Sequence, residues 1–175
     1  MEESLLLRQI PHSVEAEQSV LGAMLIDARC IPDVIEALHP EDFYLKTNRE
    51  IYETIYAMFN FSATIDPVTV LDQMKQRGVY DENTSRNYLL QLMEITPTAA
   101  NVKEYVRIVK DKALLRRIAE TAGELTTLVQ EGGETGQAVL DLAEQRSYAS
   151  RQGRAVQGLE PLAQILVDVF DRLQE

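Results

Sequence analysis

The sequence predicts an all-α protein: a globular helical head, a long antiparallel helical hairpin and a C-terminal linker helix. Three observations carry that expectation. Aromatic residues make up 6% of the chain with no tryptophan, and eight glycines and six prolines are too few for the frequent turns of a β fold. Apolar residues recur at three- and four-residue intervals rather than in alternation. Cap residues precede these runs, and glycine or proline follows several of them.

In chain order, Ser13 is placed to cap a first helix running to about Ile26, with Glu15 and Glu17 in its opening turns and Val14, Val20, Leu21, Met24 and Leu25 as its apolar face. A second short helix follows Asp27 and ends near Leu38, its start delayed by Pro32, which lacks an amide hydrogen. Thr47-Asn48-Arg49-Glu50 has the spacing of a capping box, and Ile51, Ile55, Met58 and Phe59 follow at helical spacing. Asp66-Pro67 opens a fourth helix that Gly78 closes, with Val68, Leu71 and Met74 as its buried stripe. Ser85 is placed to cap a fifth, carrying Leu89, Leu90, Leu92 and Met93, which Thr96-Pro97 breaks.

From Thr98 the pattern lengthens. Val102, Tyr105, Val106, Val109, Leu114, Ile118, Leu125 and Val129 keep helical phase without a proline until Gly132-Gly133, after which Thr135 restarts a helix through Val139, Leu140, Leu142, Ala143 and Tyr148. Two helices in a hairpin bury only one stripe, so a second copy is the simplest covering. After a polar linker, Pro161 opens a final stripe of Leu162, Ile165, Leu166, Val169, Phe170 and Leu173. It either folds back on the hairpin or docks on something outside this chain. The parse is therefore head 1–97, hairpin 98–150, linker 151–160 and linker helix 161–175.

Composition narrows the function. Twenty-eight acids against 17 bases give a net charge of −11, which opposes non-specific attachment to nucleic acid or an anionic membrane and favours a protein partner. Residues before 98 hold 16 acids and 7 bases; those from 98 onward hold 12 and 10. Cys30 alone cannot form an internal disulfide, and two glutamates follow Met1 where a secretory leader carries positive charge, so a cytoplasmic protein without a membrane partner is expected. His12 and His39 with one cysteine offer no zinc-type ligand spacing, and the pairs Glu41-Asp42 and Asp81-Glu82 fall in turns where carboxylates cap or are solvated. No nucleophile elbow is present. Gly153 and Gly158 have phosphate-loop spacing, but Leu159 and Glu160 stand where lysine and serine or threonine are required. Lys103, Arg107, Lys110, Lys112, Arg116 and Arg117 outnumber Glu104, Asp111 and Glu120 on the long helix, an excess that reads as a solvated face rather than a nucleic-acid surface. No catalytic, metal or cofactor residue is assigned.

The run Pro11-His-Ser-Val-Glu-Ala-Glu-Gln-Ser-Val-Leu-Gly22 resembles the opening of DnaB-type bacterial replicative helicases. In the same order follow Pro40-Glu-Asp-Phe-Tyr44, Ile65-Asp-Pro-Val-Thr-Val70, Tyr88-Leu-Leu-Gln-Leu92, Pro97-Thr-Ala-Ala-Asn101, Tyr105-Val-Arg-Ile-Val109, Lys112-Ala-Leu-Leu-Arg-Arg117 and Ala143-Glu-Gln-Arg146. The resemblance implies a non-catalytic collar domain whose hairpins pair between subunits, as dimers and then a hexamer, and which recruits primase and possibly a helicase loader. ATP, magnesium and most DNA contact would belong to a motor beyond this chain. It implies subunit pairing through Leu114, Ile118, Leu125, Val129, Val139, Leu142 and Tyr148, and primase contact around Tyr88, Ile118 and Leu125. Leu162, Ile165, Leu166, Val169, Phe170 and Leu173 would dock on a neighbouring subunit's motor. A free-standing helical adaptor that kept the collar fold and has no motor is the alternative. Departures from the family pattern are Pro32, Thr47-Asn48 and the acidity of the head.

Overall fold

Seven α-helices and two single-turn 3-10 helices are built from residues 10–152, the part of the chain that the computed structural model describes, and no strand occurs among the described residues. The helices are α1 (Val14–Ile26), α2 (Ile31–Ala37), α3 (Lys46–Asn60), α4 (Pro67–Gln76), α5 (Ser85–Glu94), α6 (Val102–Glu131) and α7 (Gly136–Gln152), with 3-10 turns at Ala28–Cys30 and Pro40–Asp42. The all-α expectation holds. Linker residues from 153 and the stripe from Leu162 to Leu173 lie outside the described residues. The chain divides into two compact units, Met1–Leu115 and Arg116–Glu175.

The first unit is organised around α1. Ser13 Oγ accepts from the Ala16 amide and Glu15 and Glu17 stand in the first turn, as the cap signal requires. Every residue from Val20 to Leu25 is buried, because α5 and α3 both pack on α1. Gly22 makes the α5 contact possible: a Cβ there would overlap the Leu92 carbonyl oxygen and the Thr96 side chain. Around α1 gather Ile31, Val34 and Leu38, then Phe43, Ile51, Tyr52 and Ile55, then Val70, Met74, Leu89 and Leu92. Val102, Val106 and Val109 join the same core, so the opening turns of α6 belong to the first unit. Tyr52 lies against Phe43, ring centroids 4.5 Å apart, and donates its hydroxyl to the Leu38 carbonyl at 2.8 Å.

Several local expectations need correction. Helix α3 begins at Lys46 with Leu45 as a side-chain-free cap, so Thr47 lies inside it and no Thr47–Glu50 box forms. The carboxylate of Glu17 supplies the cap from α1, accepting from the amides of Tyr44 at 2.6 Å and Leu45 at 3.3 Å. Ser85 is likewise the first residue of α5 and not its cap; its hydroxyl accepts from the Asp81 amide, while the Asp81 carboxylate accepts from the amides of Asn83 and Thr84. Those bonds hold the exposed Asp81 carboxyl below its ordinary range. Pro32 sits in the first turn of α2, where its missing N–H costs nothing, and the 3-10 turn before it accounts for the delayed start. In α4 the buried line is Val70 and Met74 with Leu71 beside it, whereas Val68, in the first turn, is 76% exposed.

Helices α3 and α4 end in the same hydrogen-bonded turn. Ala63 N–H reaches the Met58 carbonyl and Ser62 N–H the Phe59 carbonyl after α3; Val79 and Gly78 repeat this on Met74 and Lys75 after α4. The pivot must adopt positive φ. Gly78 does so freely at 71°, but Ser62 is forced to 53°.

Candidate functional site

The second unit contains the end of α6, from Arg116, and α7, joined by residues 132–135. Gly132, at φ 67°, ends α6 with its amide on the Leu128 carbonyl, and Thr135 Oγ accepts from the Ala138 amide to start α7. Arg146 pairs with Glu124 at 3.0 Å across the two helices. These residues stand at comparable distances before and after the loop, so the helices run antiparallel.

Apolar side chains here outnumber places to bury them. Among the described side chains none of α7 is buried, nor any of α6 beyond Ala113. Leu125, Leu128, Val139 and Leu142 reach half-burial. Ile118 is 51% exposed, Val129 66%, Leu140 52% and Tyr148 57%. The seven residues expected to pair subunits thus fall into three groups: Leu125, Val139 and Leu142 half-buried; Ile118, Val129 and Tyr148 on the surface; Leu114 half-buried and in the first unit. Leu140 joins the surface group, although sequence reasoning passed over it. Its signal was adjacency: in a helix, neighbours 139 and 140 point about 100° apart, so half-burial of Val139 turns Leu140 outward.

Tyr88, the remaining residue expected at a primase contact, belongs to the first unit. Its hydroxyl donates to Asn48 Oδ1 at 2.7 Å and accepts from Gln18 Nε2 at 3.1 Å, while Asn48 Nδ2 donates to Glu17 Oε2 at 2.9 Å. One chain of hydrogen bonds therefore ties α5 to α1 and to the start of α3. Burial of the ring pushes the phenol pKa up, and the Glu17 carboxylate adds to the shift. Tyr88 is half-buried, and its hydroxyl is engaged within the first unit.

Two basic residues of α6 have local acidic partners. Lys103 pairs with Asp33 of α2 at 3.7 Å, and Arg107 binds Glu104 within α6 and lowers that carboxyl's pKa. Among the described residues no group of three or more His, Cys, Asp and Glu side chains could hold a metal ion, and no helix is long and apolar enough to cross a membrane.

Residues 9–111 match the family model for the DnaB-like helicase N-terminal domain. The chain is 32% identical over 170 residues to the replicative DNA helicase DnaB of Leifsonia xyli subsp. xyli, covering 95% of this chain and 36% of that protein. It is 34% identical over 168 residues to the replicative DNA helicase DnaB of Mycobacterium leprae, covering 95% and 28%. The chain thus spans about a third of the length of these curated relatives. The crystal structure of the N-terminal domain of DnaB helicase from Mycobacterium tuberculosis superposes with a TM-score of 0.74 at 37% identity, covering 80% of this chain and 99% of that one.

Proposed function

The chain belongs to the DnaB-like helicase N-terminal domain family, and from that premise we propose that it acts as the non-catalytic collar of a replicative DNA helicase, assembling subunits and recruiting primase. The unwinding motor, with its ATP, its magnesium and most of the DNA contact, is assigned to the remaining two thirds of such proteins. The observation that carries the assembly role is the surplus apolar surface of the second unit: Ile118, Val129, Leu140 and Tyr148 are exposed in a unit that has no buried side chain among its described residues. A second copy of the same two helices offers a matching apolar face, which gives a two-fold pairing on which a ring of six can build.

Sedimentation of the purified chain tests this reading. Mass should rise from monomer to dimer with concentration, and Leu125→Asp, which sets a charge against the half-buried strip, should return the sample to monomer. A wild-type chain that stays monomeric at high micromolar concentration rules the reading out. Primase recruitment is tested by calorimetric titration of a bacterial primase into the wild-type chain and an Ile118→Ser variant: heat of binding from the first that is reduced tenfold or more in affinity by the second supports it, and no binding to either rejects it. A helicase loader is a further partner to titrate in the same way.

A further inference from the structure

The first unit carries a second apolar surface, distinct from the hairpin. Phe61, the residue that ends α3, is 85% exposed; Val68, in the first turn of α4, is 76% exposed; Phe59, in the last turn of α3, is 37% exposed. Helices α3 and α4 pack on each other, and a loop of six residues, 61–66, joins them, so the three side chains gather at one end of the pair. A solvated phenylalanine exposes one of the largest apolar areas a side chain offers. Here the chain also accepts positive φ at Ser62 in the turn that follows Phe61.

Between the last turns of α3 and the third turn of α4 the chain carries only acidic charge, with Lys75 and Arg77 following at the far end of α4. Residues 50–74 contain Glu50, Glu53, Asp66 and Asp72 and no lysine or arginine. Glu50 and Glu53 have basic partners in Lys46 and Arg77. Asp66, the N-cap of α4, and Asp72, one turn after Val68, are bound by neutral donors: the amides of Val68 and Thr69 for the first and the Gln76 side chain for the second. Their negative charge is therefore left to act beside the exposed valine and phenylalanines.

We propose that Phe59, Phe61 and Val68 with Asp66 and Asp72 form a docking surface for a basic amphipathic segment of a partner protein, its apolar residues seated on the phenylalanines and its lysines or arginines facing the aspartates. Charge argues against the two occupants available within this chain. A second copy brings a net charge of −11, and residues 153–175, which hold the stripe from Leu162 to Leu173, carry Arg154 and Arg172 against Glu160, Asp168, Asp171 and Glu175. This surface lies outside the hairpin, so its role stands or falls separately from subunit pairing.

The test uses the full chain and two synthetic helical peptides of identical leucine pattern, one with lysine and one with glutamate at every polar position. In amide chemical-shift titrations the lysine peptide should move resonances of residues 57–72, and the glutamate peptide should move none. Phe61→Ser and Asp72→Asn, both at exposed positions and so compatible with folding, should each weaken the lysine peptide at least fivefold while leaving the chain's own sedimentation unchanged. Binding indifferent to both substitutions, or shifts centred elsewhere, overturns the proposal. Loss of self-association in Phe61→Ser also overturns it, because a second copy would then be the occupant.

Discussion

Glu17 sits with 2% of its surface exposed, and its bonds go to the Tyr44 and Leu45 amides and the Asn48 side chain, not to a base. A carboxylate is suited to that place because the amide of Leu45, the N-cap of α3, and the Tyr44 amide before it have no partner within the helix and lie at its positive dipole end. Glu17→Ala removes the acceptor and leaves those donors buried, so the head should lose about 2–4 kcal/mol in denaturant unfolding. Glu17→Gln keeps the shape and one acceptor oxygen and should fall between; a loss under about 1 kcal/mol for alanine would refute the capping role. Gly22 works by absence, since its missing Cβ is the space the Leu92 carbonyl occupies. Gly22→Ala must push α5 off α1, at about 2–3 kcal/mol, and a variant with wild-type melting temperature would contradict that contact. Cys30 is half-buried, and burial together with the carboxylates of Asp27 and Asp33 pushes its thiol up to about 11. Both causes disfavour the thiolate, so alkylation at pH 8 should be about two orders of magnitude slower than for an unfolded cysteine of pKa about 8.5. Its rate should still be climbing at pH 10; a plateau near pH 9 would show an exposed thiol.

Among the elements, those whose signals lie within one turn of sequence were legible, and those set by a distant partner were not. Ser13 caps α1, Asp66-Pro67 opens α4 and Thr135 opens α7, because cap and capped amide are two or three residues apart. Thr47-Glu50 had the right spacing and lost to Glu17, which stands 27 residues before the Tyr44 amide it accepts from. Val68 and Phe59 had the right period, yet they fall in a first and a last turn, where one further residue of rotation decides between core and solvent. The family was readable in ordered blocks of residues, whereas which hairpin leucines face outward was not, since both faces of α7 carry apolar side chains. Helix α6 shows what periodicity hides. Its stripe is continuous, but Val109 is 2% exposed in the core of the first unit while Val129 is 66% exposed. Val109→Ala should therefore cost about 2 kcal/mol of stability at any concentration. Val129→Ala should change the stability of the monomer by less than about 0.5 kcal/mol and instead weaken self-association. Equal effects of the two on unfolding of a dilute sample would mean that α6 has one environment along its length.

At the scale of the whole chain, the two units draw their stability from different sources. The first has a core built from α1 to α5 and the opening of α6, and 16 of the 28 acids lie before residue 98. Its folding needs no second molecule. The second has an ion pair, two helix-terminal turns and half-buried leucines, with nothing fully buried among the described side chains of α7, and surface ion pairs of the Arg146–Glu124 kind contribute at most about 1 kcal/mol. Such a unit gains by mass action from anything that covers its apolar side chains, and a second copy does so in proportion to concentration. Amide hydrogen exchange separates the two sources of stability in one sample. On hundredfold dilution, amides of α7 and of α6 after Arg116 should exchange faster, while those of α1, α3 and α5 keep their protection. Because the exposed residues are apolar, raising the salt concentration should leave this contrast in place or sharpen it, whereas an association held by charge would weaken. Protection that is the same at both concentrations throughout α7 would mean that the second unit is stable alone, and its exposed Ile118, Val129, Leu140 and Tyr148 would then need an occupant other than a copy of the chain.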